Sequence, residues 1–194
     1  LGGHGDEEEG GEGEGEEGDT REEAQLLVVR IHHDRCTLSI DSSGALLHRR
    51  GYRLAGGKAP LRETLGAALL LASGWTPGTP LLDPFCGSGT LAIEGALMAR
   101  RMAPGRQRRF AFERWPGIDP GVMARVRDEA SARELPSAGA AIMASDRDAG
   151  AIEAARDNAE RAGVGDSITF DVRAVSSLVL PAGVGATGAV VTNP

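Results

Sequence analysis

Residues 80–99 read PLLDPFCGSGTLAIEGALMA, and this stretch carries three structural signals in succession. The apolar run LLDPF at 81–85 predicts a short strand, and CGSGT at 86–90 predicts a glycine-containing turn. The run that begins at Leu91 predicts a helix, which Pro104 would end. A strand, a glycine turn and a helix in this order form the first half of a βαβ unit.

The same alternation continues downstream. AAIMAS at 140–145 predicts a second strand, followed by a helix that Asp148 caps at its start and Gly163 ends. SITFDV at 167–172 and GAVVT at 188–192 predict two more strands. Because strands alternate with helices, we predict an α/β fold with a mostly parallel, doubly wound sheet.

The residues before the glycine turn predict a hairpin and one more helix. LLVVRI at 26–31 and CTLSID at 36–41 are rich in β-branched and apolar residues and flank a short polar turn. This arrangement is typical of a β-hairpin. From Pro60 to Gly74, apolar residues recur at helical spacing, which predicts an amphipathic helix.

The first 25 residues differ in composition from the rest of the chain. They contain eleven acidic residues and one Arg within a glycine-rich run, so their net charge is −10. The whole 194-residue chain carries −7, and residues 26–194 therefore carry +3, from 20 basic and 17 acidic residues. A segment with so little to bury is predicted to be disordered. We interpret it as a solvated linker or loop insertion rather than as an acidic lure for a basic partner.

Six arginines fall within the fifteen residues from Arg100 to Arg114. Phosphate contacts from such a loop do not depend on base sequence and are sensitive to salt. A solvated basic face is an equally good interpretation of the pattern. On the first interpretation, the predicted RNA phosphate contacts are Arg100, Arg101, Arg106, Arg108 and Arg109.

The cysteines and the hydropathy pattern limit other classes of site. Cys36 and Cys86 are too far apart for a CxxC-type pair and no histidine cluster supplies further ligands, so we predict no metal site. The chain has no apolar run near 18 residues and does not start with a signal peptide. We therefore expect a soluble protein in a reducing, cytoplasmic setting, with no membrane partner.

The glycine turn could hold one of three ligand classes, because the ligand cleft of such a sheet lies beyond the carboxyl ends of its strands. A Walker loop is excluded, since it requires a Lys after the last glycine and this chain has Thr90. A dinucleotide fits the spacing GSGTLA at 87–92. The acid that binds its ribose is expected about 20 residues later, however, and Asp146 is much farther along the chain.

S-adenosylmethionine is the third class. Asp83, at the end of the first strand of the unit, can face the positively charged amino group of the methionine moiety. Gly87 and Gly89 permit close backbone approach because glycine has no Cβ, and the next helix presents free N–H groups. Asp146, at the end of the next strand, can accept hydrogen bonds from two ribose hydroxyls. A turn or capping role explains either aspartate alone, but their joint position at two strand ends favours the cofactor.

The chain closes with VVTNP, so Asn193 and Pro194 follow the last predicted strand. An exocyclic amine on a base is a poor nucleophile because its lone pair is delocalised into the ring. An Asn side chain and a proline carbonyl that accept hydrogen bonds from this amine favour the pyramidal geometry needed for attack on a methyl group. Asn193 and Pro194 are therefore the candidate catalytic residues, with a generic Asn-Pro turn as the alternative.

Several long blocks of residues 26–194 resemble, in order, the THUMP-associated RNA methyltransferases, and in particular the bacterial 23S ribosomal RNA guanine-N2 methyltransferases. The blocks are LSIDSSGALLHRRGYR, KAPLRETLGAALLLASGW, PLLDPFCGSGTLAIEGALMARRMAPGRQRRFAFERW, SDRDAGAIEAARDNAERAGV and VVTNP. The resemblance implies a Rossmann-like class I S-adenosylmethionine-dependent methyltransferase sheet, truncated after the fourth strand. The cofactor-binding residues that it implies are Asp83, Pro84, Cys86, Gly87, Gly89, Thr90 and Asp146.

The resemblance also implies a division of the chain. Residues 1–25 form the disordered segment, residues 26–58 a hairpin connection that follows a missing THUMP domain, and residues 59–194 the N-terminal part of the methyltransferase domain. The family signature is Asn-Pro-Pro-Tyr, of which this chain has only the first two residues. The fragment alone is therefore expected to be inactive.

One position departs from the family pattern. Ala174 stands where an acidic residue near the adenine is usual, and Asp171, three positions earlier, does not take over that role. The affinity for the adenine moiety is therefore in question.

The function that the resemblance implies is methylation of an exocyclic amine in RNA, with guanine N2 of ribosomal RNA as the target. Adenine N6 in DNA is an alternative, since amine methyltransferases of both kinds share the Asn-Pro motif. A noncatalytic RNA-binding module that retains the fold is another, supported by Ala174 and by the missing aromatic residue. An NAD-binding function is the weakest of the four.

Overall fold

The computed structural model describes residues 25–53, 61–179 and 187–194. The predicted acidic segment lies outside these residues except for Gln25, and so does the predicted helix start at Pro60. The described residues form six strands and four α-helices.

The first two strands form the predicted hairpin. Strands β1 (Leu27–His32) and β2 (Arg35–Ile40) pair antiparallel, and the turn residues His33 and Asp34 have positive φ angles of 45° and 55°. Every residue of both strands is exposed. The hairpin is thus a separate two-stranded sheet outside the core.

The remaining strands form one parallel sheet in the order β5-β4-β3-β6. The chain runs outward from β3 to β4 to β5, and β6 then pairs with the other side of β3. A topological switch point therefore lies between β3 and β6, which is where ligands bind in doubly wound folds. The strands are β3 (Leu81–Asp83), β4 (Ile142–Asp146), β5 (Thr169–Val172) and β6 (Ala189–Val190).

The helices connect and cover these strands. They are α1 (Glu63–Ala72), α2 (Thr90–Ala99), α3 (Pro120–Ser131) and α4 (Ala149–Ala162). Helix α2 follows β3 and α4 follows β4, and the two helices contact each other on the sheet while α1 packs on α2. The predicted ends of α4 are confirmed: the Asp148 side chain accepts a hydrogen bond from the Gly150 amide, and Gly163 adopts a left-handed conformation.

Small residues allow the helices to lie close to the sheet and to each other. Ala92 and Ala96 of α2 and Ala155 of α4 are completely buried. A Cβ on Gly95 would lie 2.6 Å from Leu81 Cδ2, so any larger residue at this point of α2 would require the buried Leu81 side chain to shift. The close contact between α2 and β3 fixes the direction in which the helix leaves the glycine turn.

The segment before α1 is tied to α2 by a buried carboxylate. Glu94 accepts hydrogen bonds from Arg50 Nε and Nη2 at 3.2 and 3.0 Å and from the Tyr52 hydroxyl at 3.1 Å. Glu94 is 2 % exposed and Tyr52 is 1 % exposed. A bidentate Arg pair with a further donor satisfies a buried carboxylate, so this contact fixes residues 50–53 on the helix.

Helix α3 was not predicted from the sequence. It lies in the segment between the two βα units, and none of its residues is buried. The apolar periodicity that usually reveals a helix is therefore weak. A local signal was present, since Asp119 caps the helix by accepting from the Gly121 amide and Pro120 occupies its first turn.

Candidate active site

Asp83 ends β3 beside the switch point and is 1 % exposed. Its Oδ1 atom accepts hydrogen bonds from the Thr192 hydroxyl at 2.7 Å and the Phe85 amide at 3.3 Å. No described donor reaches Oδ2. Burial raises the pKa of Asp83 to about 6, with a smaller contribution from the charge of Asp146, while the two hydrogen bonds oppose this shift. Asp83 is therefore mostly ionised at neutral pH and keeps one oxygen available for a cationic ligand group.

Asp146 ends β4 and connects that strand to the glycine turn. Its Oδ2 atom accepts a hydrogen bond from the Gly87 amide at 3.0 Å, and its Oδ1 atom accepts from the Asp148 amide at 3.0 Å. Each carboxylate oxygen can accept a second hydrogen bond, and the residue is partly exposed. Asp146 can therefore hold the turn and bind a diol at the same time.

The two glycines of the turn serve different purposes. Gly87 has a φ of 49°, and a Cβ added there would meet no atom within 4 Å, so its free side is open. Gly89 has a φ of 85°, but a Cβ there would lie 3.0 Å from the Ala155 Cβ. From the sequence, both glycines are predicted to permit close approach of a ligand. In the structure, only Gly87 borders open space, whereas Gly89 permits α4 to pack against the turn.

The other predicted cofactor residues contribute mainly through the backbone. The Thr90 hydroxyl is bonded to Arg53 Nη2 and lies 3.4 Å from the Leu61 carbonyl, so this side chain faces away from the cleft. The Cys86 amide donates to the Ser145 carbonyl at 3.0 Å, which fixes the turn on β4. Burial raises the pKa of the Cys86 thiol to about 12, which leaves it neutral. Pro84 is buried between the strand and the turn.

Two residues that support the turn were missed from the sequence. Asn158 of α4 donates from Nδ2 to the Ser88 carbonyl at 3.1 Å, and Arg161 donates to Asn158 Oδ1 at 2.8 Å. Asn158 is 4 % exposed. The signal was a polar Asn on the otherwise apolar face of α4, three residues before an Arg with which it can pair.

Asn193 and Pro194 follow β6 on the other side of the switch point. The Val191 amide donates to the Leu82 carbonyl at 3.0 Å, which is the last backbone bond of the chain to β3 among the described residues. Thr192 is then bonded to Asp83, and Asn193 and Pro194 are exposed beyond it. The structure thus brings the Asn-Pro pair and the buried carboxylate to the same edge of the sheet.

The end of β5 lies beside Asp146, because the Arg173 amide donates to the Asp146 carbonyl at 2.8 Å. Ala174 follows directly and is exposed. Asp171 forms a 2.8 Å ion pair with Arg173 and faces Ser145 in the strand register. The expectation that Ala174 leaves the adenine side without a carboxylate remains a prediction.

Two members of the arginine cluster serve the fold. Arg100 donates to the Gly163 carbonyl at 2.9 Å and to the Leu135 carbonyl at 3.1 Å, and pairs with Asp166. Arg108 donates to carbonyls of the loop after β2, including that of Ser43 at 3.0 Å. Their guanidinium groups are therefore already committed, which argues against the prediction that they contact phosphate.

The cluster also lies away from the cleft. Helix α2 begins at the glycine turn and runs for ten residues before Arg100, which places Arg100 about 15 Å along the helix axis from the turn. Arg101, at the same end, has a left-handed φ of 55°. Arg106 lies next to Gly163, at the end of α4. The predicted catalytic residues and the predicted phosphate contacts thus occupy opposite ends of these helices.

The residues at the carboxyl edge fit S-adenosylmethionine. Gly87 borders open space, Asp83 keeps one oxygen for an ammonium group, and Asp146 can accept from a diol. Among the described residues, no group of His, Cys, Asp or Glu could hold a metal ion. In the same part of the chain, no helix has the length and apolar character needed to cross a membrane.

The chain is similar to proteins of known family and structure. Residues 50–194 match the family UPF0020, the RMKL-like methyltransferase domain. A crystal structure of a predicted N6-adenine-specific DNA methylase from Listeria monocytogenes is 44% identical with a TM-score of 0.77, over 87% of this chain and 43% of that one. SMU.472, whose structure contains S-adenosylhomocysteine (SAH), is 34% identical with a TM-score of 0.79, over 88% of this chain and 44% of that one.

The chain therefore spans less than half the length of either of these proteins. The shared fold confirms the predicted Rossmann-like class I sheet, and the SAH-bound relative supports S-adenosylmethionine as the cofactor of this cleft. With about three quarters of its residues inside one family match, the chain belongs to the RMKL-like methyltransferase domain family.

Proposed function

We propose that the protein transfers a methyl group from S-adenosylmethionine to an exocyclic amine of RNA, and that the target is guanine N2 in ribosomal RNA. The observation that carries this proposal is the hydrogen bond from Thr192 to Asp83, which brings the Asn-Pro pair to the cofactor cleft. The division into a hairpin connection at 26–58 and a methyltransferase part at 59–194 belongs to the proposal, as does a cytoplasmic setting.

The cofactor, when bound, supplies a methyl group made electrophilic by a positively charged sulfur. Asp83 would bind the amino group of the cofactor through Oδ2, because Oδ1 is already used by Thr192 and Phe85. Asp146 would accept from the ribose hydroxyls while its existing bonds keep the turn in place. The open side of Gly87 would accommodate the cofactor against the backbone.

Asn193 and Pro194 would act on the acceptor amine. Both residues follow Thr192 directly, so they lie beside its hydrogen bond to Asp83 at the edge of the cleft. By accepting hydrogen bonds from the two N–H groups of the amine, they would favour the pyramidal nitrogen that attacks the methyl carbon. The N–C bond forms as the C–S bond breaks, the sulfur keeps the electron pair as a thioether, and the excess proton on nitrogen passes to water.

The choice of RNA rests on the long blocks that resemble the RNA guanine-N2 enzymes, whereas the +3 charge of residues 26–194 suits either nucleic acid. Adenine N6 in DNA is the second candidate, because the Listeria protein is described as a predicted DNA methylase of that kind. Both amines present the same two N–H bonds, so the chemistry at Asn193 is common to them. Only the acceptor distinguishes the two functions.

The test uses full-length protein, labelled S-adenosylmethionine and two acceptors. The protein and cofactor are incubated in separate reactions with unmodified 23S ribosomal RNA and with DNA of matched length. Each nucleic acid is then digested to nucleosides and analysed by mass spectrometry. We expect N2-methylguanosine from the RNA. N6-methyladenine from the DNA alone would replace the proposed function by the second candidate.

The role of Asn193 is tested with Asn193→Ala in the same protein. Loss of one transition-state hydrogen-bonding group should lower kcat by about 100-fold or more. The Kd for SAH should change by less than about threefold, because the hydrogen bonds of Asp83 and Asp146 come from other residues. Ser176→Ala, an exposed polar change after β5, is the matched control and should leave kcat unchanged. Normal turnover in Asn193→Ala would exclude the mechanism.

A further inference from the structure

A cleft of about 680 Å³ lies between residues 106–114 and helix α3. Five arginines line it together with a single acid, Glu113, and its other walls include Phe110, Ile118 and Met123. A volume of this size is within the range of ligand-binding clefts. The arginines are Arg106, Arg108, Arg109, Arg114 and Arg127.

The guanidinium groups of this cleft differ in how far they are committed. Arg127 donates to Glu113 at 2.6 Å, which lowers the pKa of Glu113 and balances its charge. Arg106 has one long ion pair of 3.7 Å with Glu134. Arg109 is exposed, and its charge contributes to the lowered pKa of Glu113. Glu113 is the one acid among the lining residues, and Glu134 outside the lining pairs with Arg106, so basic groups outnumber acidic ones at the cleft.

Aromatic and apolar groups lie beside these charges. The rings of Phe110 and Phe112 stack with centroids 5.7 Å apart, and the Arg108 guanidinium lies 4.9 Å from the Phe110 centroid. A positive groove with an aromatic wall is the arrangement with which proteins bind single-stranded nucleic acid, because the charges meet phosphates and the ring meets a base. The combination is more specific than an isolated patch of arginines.

The position of the cleft shows that it is separate from the methyl-transfer site. Arg106 lies against Gly163 at the end of α4, and Gln107 donates to the Arg161 carbonyl at 2.8 Å. These are the helix ends remote from the glycine turn, about 15 Å away along α2. At a rise of about 3.4 Å per nucleotide, a stacked strand would need about five nucleotides to span this distance.

We propose that this cleft binds the backbone of the RNA substrate at a point several nucleotides away from the methylated base, with Arg106 and Arg109 as the principal phosphate contacts. The inference rests on the proposed function for the identity of the nucleic acid. It narrows the assignment made from the sequence, since Arg100 and Arg108 donate to backbone carbonyls of the fold and Arg127 is paired with Glu113.

The test measures RNA binding without methyl transfer. Full-length protein is titrated into a fluorescein-labelled 30-nucleotide RNA from the 23S molecule and into a 4-nucleotide RNA, without cofactor, over a range of salt concentrations. Arg109→Glu should weaken binding of the 30-nucleotide RNA by about tenfold or more and reduce the salt slope by about 1. The 4-nucleotide RNA is too short to contact the cleft and the methyl-transfer site together, so wild type should bind it more weakly than the 30-nucleotide RNA.

Arg125→Glu is the matched control, because it makes the same charge change on exposed α3 outside the cleft. Its affinity for the 30-nucleotide RNA should stay within about threefold of wild type, and circular dichroism should show both variants folded. Equal weakening by both variants would overturn the inference in favour of a diffuse basic surface. Unchanged affinity in Arg109→Glu would also overturn it, even if the protein still methylates RNA. Methylation of DNA alone in the acceptor assay would instead reject the proposed function.

Discussion

Two regions of the molecule are rich in charged residues: the carboxyl edge of the sheet, and the arginine segment at residues 100–114 beyond α2. The two regions use these residues differently. At the edge, Asp83 and Asp146 each make hydrogen bonds to the fold and still keep acceptor capacity for a ligand. In the arginine segment, Arg100 and Arg108 each direct guanidinium N–H groups to backbone carbonyls of the fold. A charged residue is therefore a candidate for ligand binding only when some of its hydrogen-bonding groups are not already used by the fold.

The largest expected effect at the edge is on cofactor affinity. Asp83→Asn removes the buried negative charge but keeps an oxygen that can accept from Thr192. Loss of a charged partner in a buried site costs about 2–5 kcal/mol, so the Kd for SAH should rise at least about 30-fold. Calorimetric titration of SAH measures this change. An unchanged Kd would show that Asp83, like Arg100, supports the fold and does not bind the cofactor.

The raised pKa of Asp83 makes two opposite predictions for pH. The pKa of the Asp83 carboxyl has its ordinary value of 3.8 in the unfolded chain and is about 6 in the folded protein. Between these pH values the protein takes up a proton on folding. The contribution of Asp83 to stability therefore falls as the pH rises from 4 to 6. Cofactor affinity, which needs the carboxylate, should rise through pH 6. Thermal melts and SAH titrations from pH 5 to 8 measure both, and Asp83→Asn should flatten both profiles. Two profiles that change in the same direction would contradict this assignment.

The two glycines extend the comparison within the turn itself. Gly89→Ala introduces a Cβ 3.0 Å from that of Ala155 at a positive φ, and overpacking with backbone strain costs about 2–4 kcal/mol. Gly87→Ala should cost only the backbone strain of a positive φ, about 1–2 kcal/mol of stability. It should also reduce SAH affinity, because the new Cβ occupies the open side of the turn. Denaturant unfolding with SAH titration separates the two. Equal loss of stability would contradict the different roles of the glycines.

The arginine segment offers a matched pair of substitutions. Arg100→Ala leaves the Gly163 and Leu135 carbonyls without their donor and should reduce the free energy of unfolding by about 2 kcal/mol. Arg101→Ala, at an exposed neighbouring position, should change it by less than about 0.5 kcal/mol. Neither change should affect SAH affinity. A loss of SAH binding in folded Arg100→Ala would contradict the account in which the arginine segment and the cofactor site are independent.

The smallest expected effect concerns the bond that joins the Asn-Pro pair to the cofactor carboxylate. Thr192→Val keeps the side-chain shape but removes the hydroxyl, so Asn193 loses part of its support. We expect kcat in the full-length protein to fall by about tenfold, equivalent to about 1.4 kcal/mol, while Thr192→Ser retains most of it. A kcat equal to wild type in Thr192→Val would show that Thr192 does not position the Asn-Pro pair.

The sequence predicted those parts of the fold that depend on local patterns. The glycine turn, the capping of α4 by Asp148 and its end at Gly163 each depend on a few neighbouring residues, and the structure confirms them. Helix α3 was missed because none of its residues is buried and its pattern lacks an apolar face. Its Asp119-Pro120 start was the signal that could have revealed it.

Long-range contacts explain the rest of the difference. Asp83 and Thr192 are 109 positions apart, and Arg100 meets Gly163 across 63 positions. The sequence placed Asp83 and Arg100 at the ends of their elements, but it could not show which of their atoms the fold already uses. The packing of Gly89 against Ala155 is equally invisible without the direction of α4.

The most direct test of the cofactor cleft is a calorimetric titration of SAH into full-length protein at pH 7.5, with Asp146→Ala and Arg125→Ala compared. We predict saturable binding to one site in wild type and Arg125→Ala, and an affinity reduced by about 30-fold or more in Asp146→Ala, because two ribose hydroxyls and the Gly87 amide lose their charged acceptor. Equal affinities in all three proteins, or no binding to folded wild type, would contradict the assignment of the carboxyl edge as the cofactor site.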